Sequence, residues 1–198
     1  MLANKTRLIF IWGKSRFYSY ENYNLFQFTS YFYGIKRILL ISDTHGYFGS
    51  EIQKHAEYCD EIWHAGDWGG IVVSDKLEKI KPTRGVYGNI DGLDIRKQYP
   101  KELFFDIEGL KVYIIHIGGY PGKYAKGVKN RLIELKPDLY ICGHSHICKV
   151  MKDKNLDLVH FNSGAIGKSG FHKKRTMLKF GINNGKLIDI KVLEYDKN

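Results

Sequence analysis

The chain has 198 residues, 43% of them apolar and 26% charged, which is typical of a folded domain and excludes a wholly disordered protein. Three cysteines are too few for a disulfide framework, and no apolar run approaches the roughly 18 to 20 residues that cross a bilayer, so we expect a cytoplasmic protein without a membrane partner. The formal net charge of +10 favours anionic partners; nucleic acid is one of these, but no nucleic-acid-binding motif accompanies the charge.

Residues 1–34 are interpreted as an N-terminal extension to which the sequence assigns no structure. Tyr and Phe are crowded between residues 17 and 33, without the period of 2 or 3.6 that marks a strand or an amphipathic helix. We place the folded domain at residues 35–198 and interpret the extension as an appendage or an upstream addition. Such an aromatic surface could cover a partner, so we expect a homodimer.

From residue 35 onward, short β-branched and aromatic runs alternate with helix-like stretches, the pattern of a layered α/β domain. Strands are predicted at residues 36–41, 61–64, 83–87, 103–107, 112–115 and 139–141. Helices are predicted at residues 50–58, 74–79 and 126–135. Since neither repeats nor a low-complexity linker interrupt this pattern, one domain with two packed sheets is the economical interpretation.

The C-terminal part differs, because its apolar segments follow one another without helices between them. We predict successive antiparallel strands at residues 149–151, 156–161, 177–182 and 187–193. The Asn184-Gly185 pair between the last two strands is typical of a tight hairpin turn.

Side chains that bind metals follow five of the predicted strands. They are Asp43 and His45, Asp67, Asn89 and Asp91, His116, and His144 and His146. The carboxyl ends of strands in an open α/β sheet line one crevice, so residues far apart in the chain can converge there. Gly66, Gly88 and Gly143 each precede such a residue and suit tight turns and close backbone approach.

Each of these signals has an ordinary structural explanation when it is taken alone. Asp67 could cap a helix, residues 89–91 could form a turn, and His116 could be a hydrogen-bonded core histidine. The pair His144 and His146 needs a glycine-led loop to bring both rings to one place, because alternate residues of a strand point to opposite faces. Taken together, the five strand ends favour a shared metal site.

The donor set indicates which metals fit. Apart from Asp91, these strand ends supply two carboxylates, one amide and four imidazoles without a thiolate, which suit Mn²⁺, Fe²⁺, Ni²⁺ or Zn²⁺ rather than a cysteine-bound structural zinc. Seven ligands are too many for one structural ion and suit two ions that share a carboxylate and keep positions for water and substrate. The surplus positive charge of such a pair attracts a phosphate.

The ordered motifs D-x-H, G-D, G-N-x-D, a lone histidine and G-H-x-H resemble those of the calcineurin-like metallophosphoesterases. Their short spacing is similar to that of the small prokaryotic phosphodiesterase branch, in a superfamily that also includes a retromer scaffold subunit. The resemblance runs from about residue 35 to the C-terminus. It implies an αββα sandwich, two packed mixed β-sheets flanked by helices, with the site at the strand ends.

Carried over by position, the resemblance implies two metal ions with one shared ligand. The ligands would be Asp43, His45 and His146 for the first ion, Asn89, His116 and His144 for the second, and Asp67 as the bridge. A hydroxide between the ions would attack phosphorus in line, and Asn89 would stabilise the developing charge. Asp91 would orient a ligand or its loop. Mn²⁺ is the expected metal, with Ni²⁺, Fe²⁺ and Zn²⁺ as alternatives.

Two departures from the family pattern bear on the substrate. Many larger relatives carry a histidine after the asparagine, thought to help the leaving group, where this chain has Ile90. The lone-histidine block reads HIGGYPG, whereas the common pattern has His followed directly by Gly. We expect a dinuclear metal-dependent phosphodiesterase that favours small diesters or aryl esters. The alternatives are a phosphomonoesterase on the same site and a catalytically weak protein-interaction scaffold.

The remaining histidines match no ligand position. His64 is interpreted as structural, His160 is left unassigned, and His172 is interpreted as a surface residue, as an alternative to an anion-binding one. The basic segment KSGFHKKR at residues 168–175 is interpreted as a solvated loop rather than a binding patch.

Overall fold

The computed structural model describes residues 34–197. Apart from Gly34, the predicted extension of residues 1–34 lies outside them, and the domain boundary and the homodimer stay predictions. The described elements are, in chain order, β1 (Lys36–Ile41), α1 (Ser50–Glu57), β2 (Glu61–His64), α2 (Ile71–Glu78), β3 (Thr83–Gly85), α3 (Leu93–Gln98), β4 (Glu102–Ile107), β5 (Leu110–Ile115), β6 (Gly119–Tyr120), β7 (Lys123–Tyr124), α4 (Val128–Leu135), β8 (Leu139–Cys142), β9 (Cys148–Asp153), β10 (Leu158–Ser163), β11 (Lys174–Asn183) and β12 (Lys186–Asp196).

Two five-stranded mixed sheets pack against each other. The strand order is β12-β11-β1-β2-β3 in the first sheet and β4-β5-β8-β10-β9 in the second. Leu40 and Trp63 of the first sheet share one buried core with Ile114 and Phe161 of the second. Strand β1 is buried along most of its length, which is why it reads as a continuous apolar run rather than as an alternating one.

Helices cover the outer faces of both sheets. Ile52 of α1, Leu77 of α2 and Ile95 of α3 share a buried cluster with the first sheet. Leu132 of α4 packs in a third cluster with Tyr140 of the second sheet. These layers confirm the predicted α/β class, two packed mixed sheets flanked by helices. No helix within residues 34–197 is long and apolar enough to cross a membrane.

The C-terminal strands are present, and β9–β10 and β11–β12 pair antiparallel as predicted, but β10 and β11 do not pair with each other. Strands β9 and β10 pair in the second sheet and β11 and β12 in the first, while β10 also pairs in parallel with β8. The apolar pattern of a strand does not reveal which sheet it joins, so the crossing between β10 and β11 was not predictable. Helix α3 and the short β6–β7 hairpin were not predicted. The predicted Asn184-Gly185 turn is confirmed, with φ of 48° and 73°.

Parallel pairing gathers the strand ends at one edge of the sandwich. Strands β1, β2 and β3 run parallel in the first sheet, and β5, β8 and β10 run parallel in the second. The backbone N–H of Asp43 donates to Gly66 at 2.9 Å, and that of Gly143 donates to His116 at 3.0 Å. The N–H of His144 donates to Asp43 Oδ2 at 3.1 Å and joins the two sheets. The loops that carry the predicted ligands therefore meet.

Candidate metal centre

The first ligand cluster is formed by Asp43, His45 and His146, each of which offers one ligand atom within 4.8 Å of the others. The Nε2 atom of His146 lies 3.2 Å from Asp43 Oδ1 and 3.4 Å from Nε2 of His45. Asp43 is fully buried, whereas both histidines are half-buried. Three donors from loops of two sheets thus face one point.

The second ligand cluster is formed by Asp67, His116 and His144, again within 4.8 Å of one another. Nε2 of His116 lies 3.3 Å from Asp67 Oδ1 and 3.2 Å from Asn89 Oδ1. His116 and Asp67 are buried, whereas His144 and Asn89 are exposed. The second ligand cluster is therefore closed to solvent on the side of His116 and Asp67 and open to solvent on the side of His144 and Asn89.

Asp67 stands between the two clusters. Its Oδ1 faces His116, while its Oδ2 lies 3.8 Å from Nε2 of His45. The structure thus brings together the seven residues for which the sequence predicts metal ligation. Their roles as ligands stay predictions.

Five of these seven residues adopt a left-handed backbone conformation. They are Asp43, His45, Asp67, His144 and His146, with φ between 46° and 67°. A non-glycine residue in this region costs on the order of 1–3 kcal/mol, and such strain concentrates at functional sites. The left-handed conformation of His144 and His146 allows both rings to reach the site although they are alternate residues. The predicted glycine-led loop explains this only in part.

Glycines allow the loops to approach the side chains closely. Gly66 has a φ of 96°, and a Cβ built on it would lie 2.6 Å from Nδ1 of His116. A Cβ on Gly88 would collide with the Asp67 carboxylate. The prediction that these glycines serve close backbone approach is confirmed.

Asp43 provides the test of whether a metal fits. Its Oδ2 accepts hydrogen bonds from Ser42 Oγ at 2.6 Å and from the His144 N–H. Its Oδ1 is buried and has no hydrogen-bond partner among residues 34–197. Buried carboxylate oxygens nearly always have a partner, and this one faces the Nε2 atoms of His146 and His116 at 3.2 and 4.0 Å. The donor set therefore fits a divalent cation.

Hydrogen bonds to the far side of two imidazoles turn their Nε2 atoms toward the clusters. Nδ1 of His116 lies 2.7 Å from the carbonyl oxygen of Ala65, to which it donates. Nδ1 of His146 lies 3.2 Å from Nδ1 of His172, whose Nε2 donates to the Gly167 carbonyl at 3.0 Å. With its Nε2 donating, a neutral His172 has Nδ1 free to accept from His146.

His172 is the residue of the site that the sequence did not predict. It is half-buried, and the interpretation as a plain surface histidine is wrong, because its ring contacts His146. No sequence signal distinguishes it, since it matches no motif and lies among lysines.

Asp91 holds backbone rather than facing a cluster. Its Oδ1 accepts from the Gly69 N–H at 3.0 Å and its Oδ2 from the Gly88 N–H at 2.7 Å. Gly69 follows Asp67 and Gly88 precedes Asn89, so one buried carboxylate ties together the two loops that carry these residues. This agrees with a role in orienting the loops.

The carboxylates set the electrostatics of the second cluster. Burial alone would lower the pKa of His116, but the hydrogen bond and charge of Asp67 and the charge of Asp43 outweigh it and raise the pKa. Burial pushes the pKa of Asp67 upward, yet His116 and the Ile90 N–H bring it below its ordinary value. The cluster thus favours the charged forms of both residues.

His64 and His160 are both buried, and burial lowers the pKa of each. His64 stacks on Trp68 with ring centroids 3.7 Å apart, and its Nε2 lies 2.9 Å from Thr44 Oγ1, as expected of a structural residue. His160 lines a cavity beside His144. The two buried histidines therefore have different surroundings.

The interpretation of residues 168–175 as a solvated loop is wrong for Arg175. Only 7% of Arg175 is exposed, because it lies in β11 and its guanidinium bonds to Glu51 of α1. Lys173 is exposed as predicted, and Phe171 is fully exposed.

The model of the calcineurin-like phosphoesterase superfamily domain matches residues 37–185. A probable metallophosphoesterase of Methanothermobacter thermautotrophicus is 33% identical over 88 residues, which cover 43% of this chain and 49% of that relative. The match thus spans about half the length of the curated relative.

Several solved structures share the fold. Vps29 of Entamoeba histolytica complexed with zinc has a TM-score of 0.63 at 16% identity and covers 82% of this chain and 99% of its own. A predicted phosphoesterase of Streptococcus pneumoniae has a TM-score of 0.60 at 18% identity, covering 83% and 91%. A Thermotoga maritima protein has a TM-score of 0.60 at 24% identity, covering 80% and 99%. At these identities the likeness shows the fold alone.

Proposed function

Because the chain belongs to the calcineurin-like phosphoesterase superfamily, we propose that it is a phosphodiesterase that works with two divalent metal ions. The observation that carries the proposal is the position of Asp67, whose Oδ1 lies 3.3 Å from His116 and whose Oδ2 lies 3.8 Å from His45. A carboxylate that reaches two ligand clusters is suited to bridge a pair of ions.

Each ion has its own set of residues in this proposal. Asp43, His45 and His146 hold one ion, Asn89, His116 and His144 hold the other, and Asp67 serves both. When bound, the ions supply Lewis acidity and lower the pKa of water so that it becomes a nucleophile. Mn²⁺ is the favoured metal, with Ni²⁺, Fe²⁺ and Zn²⁺ as alternatives, because the donors mix oxygen and nitrogen.

Other groups of the chain orient the phosphate. Asn89 is exposed and directs Oδ1 toward His116, so its amide N–H groups are available to donate to a phosphoryl oxygen as charge develops there. Asp91 keeps this loop in register with that of Asp67 through the Gly69 and Gly88 amides.

The preference for diesters rests on the position after Asn89. Ile90 is 47% exposed and has no proton to give to a leaving group. A phosphate monoester or diester with a poor leaving group needs such a proton more than an aryl diester does. We therefore place small diesters and aryl esters ahead of alkyl monoesters as substrates.

A protein-binding role is the second candidate function. A Vps29 of Chaetomium thermophilum, similar in structure at a TM-score of 0.59, was solved in complex with a cyclic peptide. Against this role stands the presence of all seven predicted ligands at one edge of the sandwich, since protein binding alone does not require a complete ligand set.

Hydrolysis of bis(p-nitrophenyl) phosphate by metal-stripped protein reloaded with Mn²⁺, Ni²⁺ or Zn²⁺ tests the proposal. Asp67→Ala and His116→Ala should each abolish turnover, whereas Glu134→Ala and His55→Ala, which likewise remove a carboxylate and an imidazole but away from the clusters, should not. Both this diester and the monoester p-nitrophenyl phosphate release p-nitrophenolate, so their comparison separates diesterase from monoesterase activity independently of the leaving group, and the proposal expects the diester to be hydrolysed faster.

Two results would overturn parts of the proposal. Faster hydrolysis of the monoester would replace the diesterase by a phosphomonoesterase. Folded protein that binds two ions yet turns over neither ester would favour the scaffold.

A further inference from the structure

The loop between β8 and β9 carries His144 and His146, one member of each ligand cluster. Both residues are left-handed, with φ of 67° and 57°. Strained backbone of this kind persists only where the surrounding structure enforces it. Apolar packing does not enforce it here, because His144, Ser145 and Ile147 are exposed. The loop therefore depends on hydrogen bonds to keep the two imidazoles directed at their clusters.

Asn162 supplies such bonds from the neighbouring strand β10 and is only 3% exposed. Its Nδ2 donates to the carbonyl oxygen of Gly143 at 2.9 Å and to Ser145 Oγ at 3.1 Å. Its Oδ1 accepts from the Gly164 N–H at 2.9 Å. A carbonyl on one side and an amide on the other fix the orientation of this side chain. Both amide protons of Asn162 thus go to the loop of the two histidines.

The two atoms to which Asn162 donates are the acceptors that close the turns of this loop. The carbonyl oxygen of Gly143 also accepts from the Ser145 N–H at 2.8 Å, which closes a turn around His144. Ser145 Oγ also accepts from the Ile147 N–H at 3.3 Å, which closes a turn around His146. Each turn encloses one strained histidine, and one buried amide group fixes both turns.

The acceptor side of Asn162 is linked to the loop of Asp43. Gly164, which donates to Asn162 Oδ1, begins a short segment after β10. In that segment the Gly167 N–H donates to the carbonyl oxygen of Asp43 at 3.1 Å. Asn162 therefore connects the loop of His144 and His146 with the segment that contacts a ligand of the first cluster.

We propose that Asn162 is a positioning residue that sets the imidazoles of both ligand clusters at once. The inference rests on the proposed function, in which His146 serves one ion and His144 the other. It differs from the role of His172, which contacts only His146. Loss of the Asn162 donors should weaken the binding of both ions, whereas loss of His172 should weaken the binding of one.

Asn162→Asp is the sharpest variant, because it keeps the shape of the side chain and the Oδ1 acceptor but removes both donors. Asn130→Asp makes the same change at an exposed position of α4 and serves as the matched control. Ser145→Ala, also at an exposed position, removes one of the two acceptors. It provides the test if Asn162→Asp does not fold.

Calorimetric titration of the full-length protein with Mn²⁺ measures the effect at each cluster separately. A His116→Ala background leaves the first ligand cluster intact, and a His45→Ala background leaves the second. In both backgrounds Asn162→Asp should raise the Kd about tenfold or more and Ser145→Ala about threefold or more. Asn130→Asp should change the Kd by less than about twofold in either background.

The Kd values separate positioning from a merely structural role. A structural role would lower the Tm of the metal-free protein and leave the Kd of the folded protein unchanged. Equal Kd values for Asn162→Asp and Asn130→Asp would overturn the inference. An effect at the first cluster alone, which is the result expected of His172→Ala, would also overturn it. If only Ser145→Ala folds, an unchanged Kd for that variant has the same meaning.

The test does not depend on turnover, so absence of phosphodiesterase activity would leave it intact. If the wild-type protein binds no ion, which would remove the proposed function, amide hydrogen exchange of the metal-free protein gives the answer. Exchange at Ser145 and Ile147, whose N–H groups close the two turns, should be about tenfold or more faster in Asn162→Asp than in Asn130→Asp. Exchange at Leu40 in the core should stay the same. Equal exchange at the loop would overturn the inference.

Discussion

His45 and His146 stand with their Nε2 atoms 3.4 Å apart, although 101 residues separate them in the chain. Asp43 Oδ1 lies 3.2 Å from the same nitrogen of His146. Two imidazole lone pairs directed at one point repel each other unless a proton or a cation lies between them. The fold therefore holds together groups whose mutual repulsion a divalent cation removes, and it should be more stable with the metal than without it.

Metal binding should consequently raise the Tm of the protein. At about 100 times its Kd, an ion that binds only the folded state adds about 2.7 kcal/mol to the free energy of unfolding. Calorimetric melting in Mn²⁺ and in EDTA measures the difference, with His45→Ala as the variant that should lose much of it. An identical Tm in both buffers would contradict the prediction.

His172→Ala should weaken metal binding without removing a ligand. His172 accepts a hydrogen bond from Nδ1 of His146 and thereby keeps the Nε2 atom of His146 directed at the first cluster. Loss of such a partner typically costs about 10–100-fold in metal affinity. Titration with Mn²⁺ by calorimetry gives the Kd. At saturating Mn²⁺ the kcat should stay close to that of the wild type.

The neighbouring Lys173→Ala serves as the control for this prediction, because Lys173 is exposed in the same loop. Equal Mn²⁺ affinities for the two variants would show that His172 does not position His146.

The meeting of the predicted ligand residues at one place was predictable because each follows an apolar strand whose end is marked by a change from β-branched to polar residues. Asp43 after β1 and Asp67 after β2 are examples, and parallel pairing of the two strands brings their loops together. The sandwich itself followed from the same alternation of strands and helices. The polar residues lie directly after their strands in the sequence, so the pattern could be recognised without knowledge of the tertiary fold.

The features that were missed depend on distant contacts. His172 reaches His146 only because residues between β10 and β11 cross from one sheet to the other, and no local pattern encodes that crossing. Arg175 looks like one charge in a basic run, and only the packing of α1 against the first sheet gives it Glu51 as a partner. Side-chain partners of this kind depend on the tertiary fold.

Glu51→Gln should destabilise the protein by about 3 kcal/mol, because removing one member of a buried ion pair leaves the other charge uncompensated. The side chains of Arg175 and Glu51 are 8% and 13% exposed. Urea unfolding measures the loss. Glu57→Gln, on the exposed face of the same helix, should change the free energy of unfolding by less than about 0.5 kcal/mol. Equal losses for the two variants would contradict the prediction.

The buried imidazole of His160 should make the fold less stable in mild acid. Burial lowers its pKa to about 4, from 6.5 in the unfolded chain, so between these pH values the unfolded state binds the additional proton. As the pH is lowered from 6.5 to 4, the contribution of His160 to the free energy of unfolding therefore falls by about 1.4 kcal/mol for each pH unit. Outside this window the contribution is constant. His160→Phe should lack this dependence. In urea unfolding, the wild-type stability minus that of the variant should rise from pH 4 to 6.5, and a pH-independent difference would contradict the burial of a neutral ring.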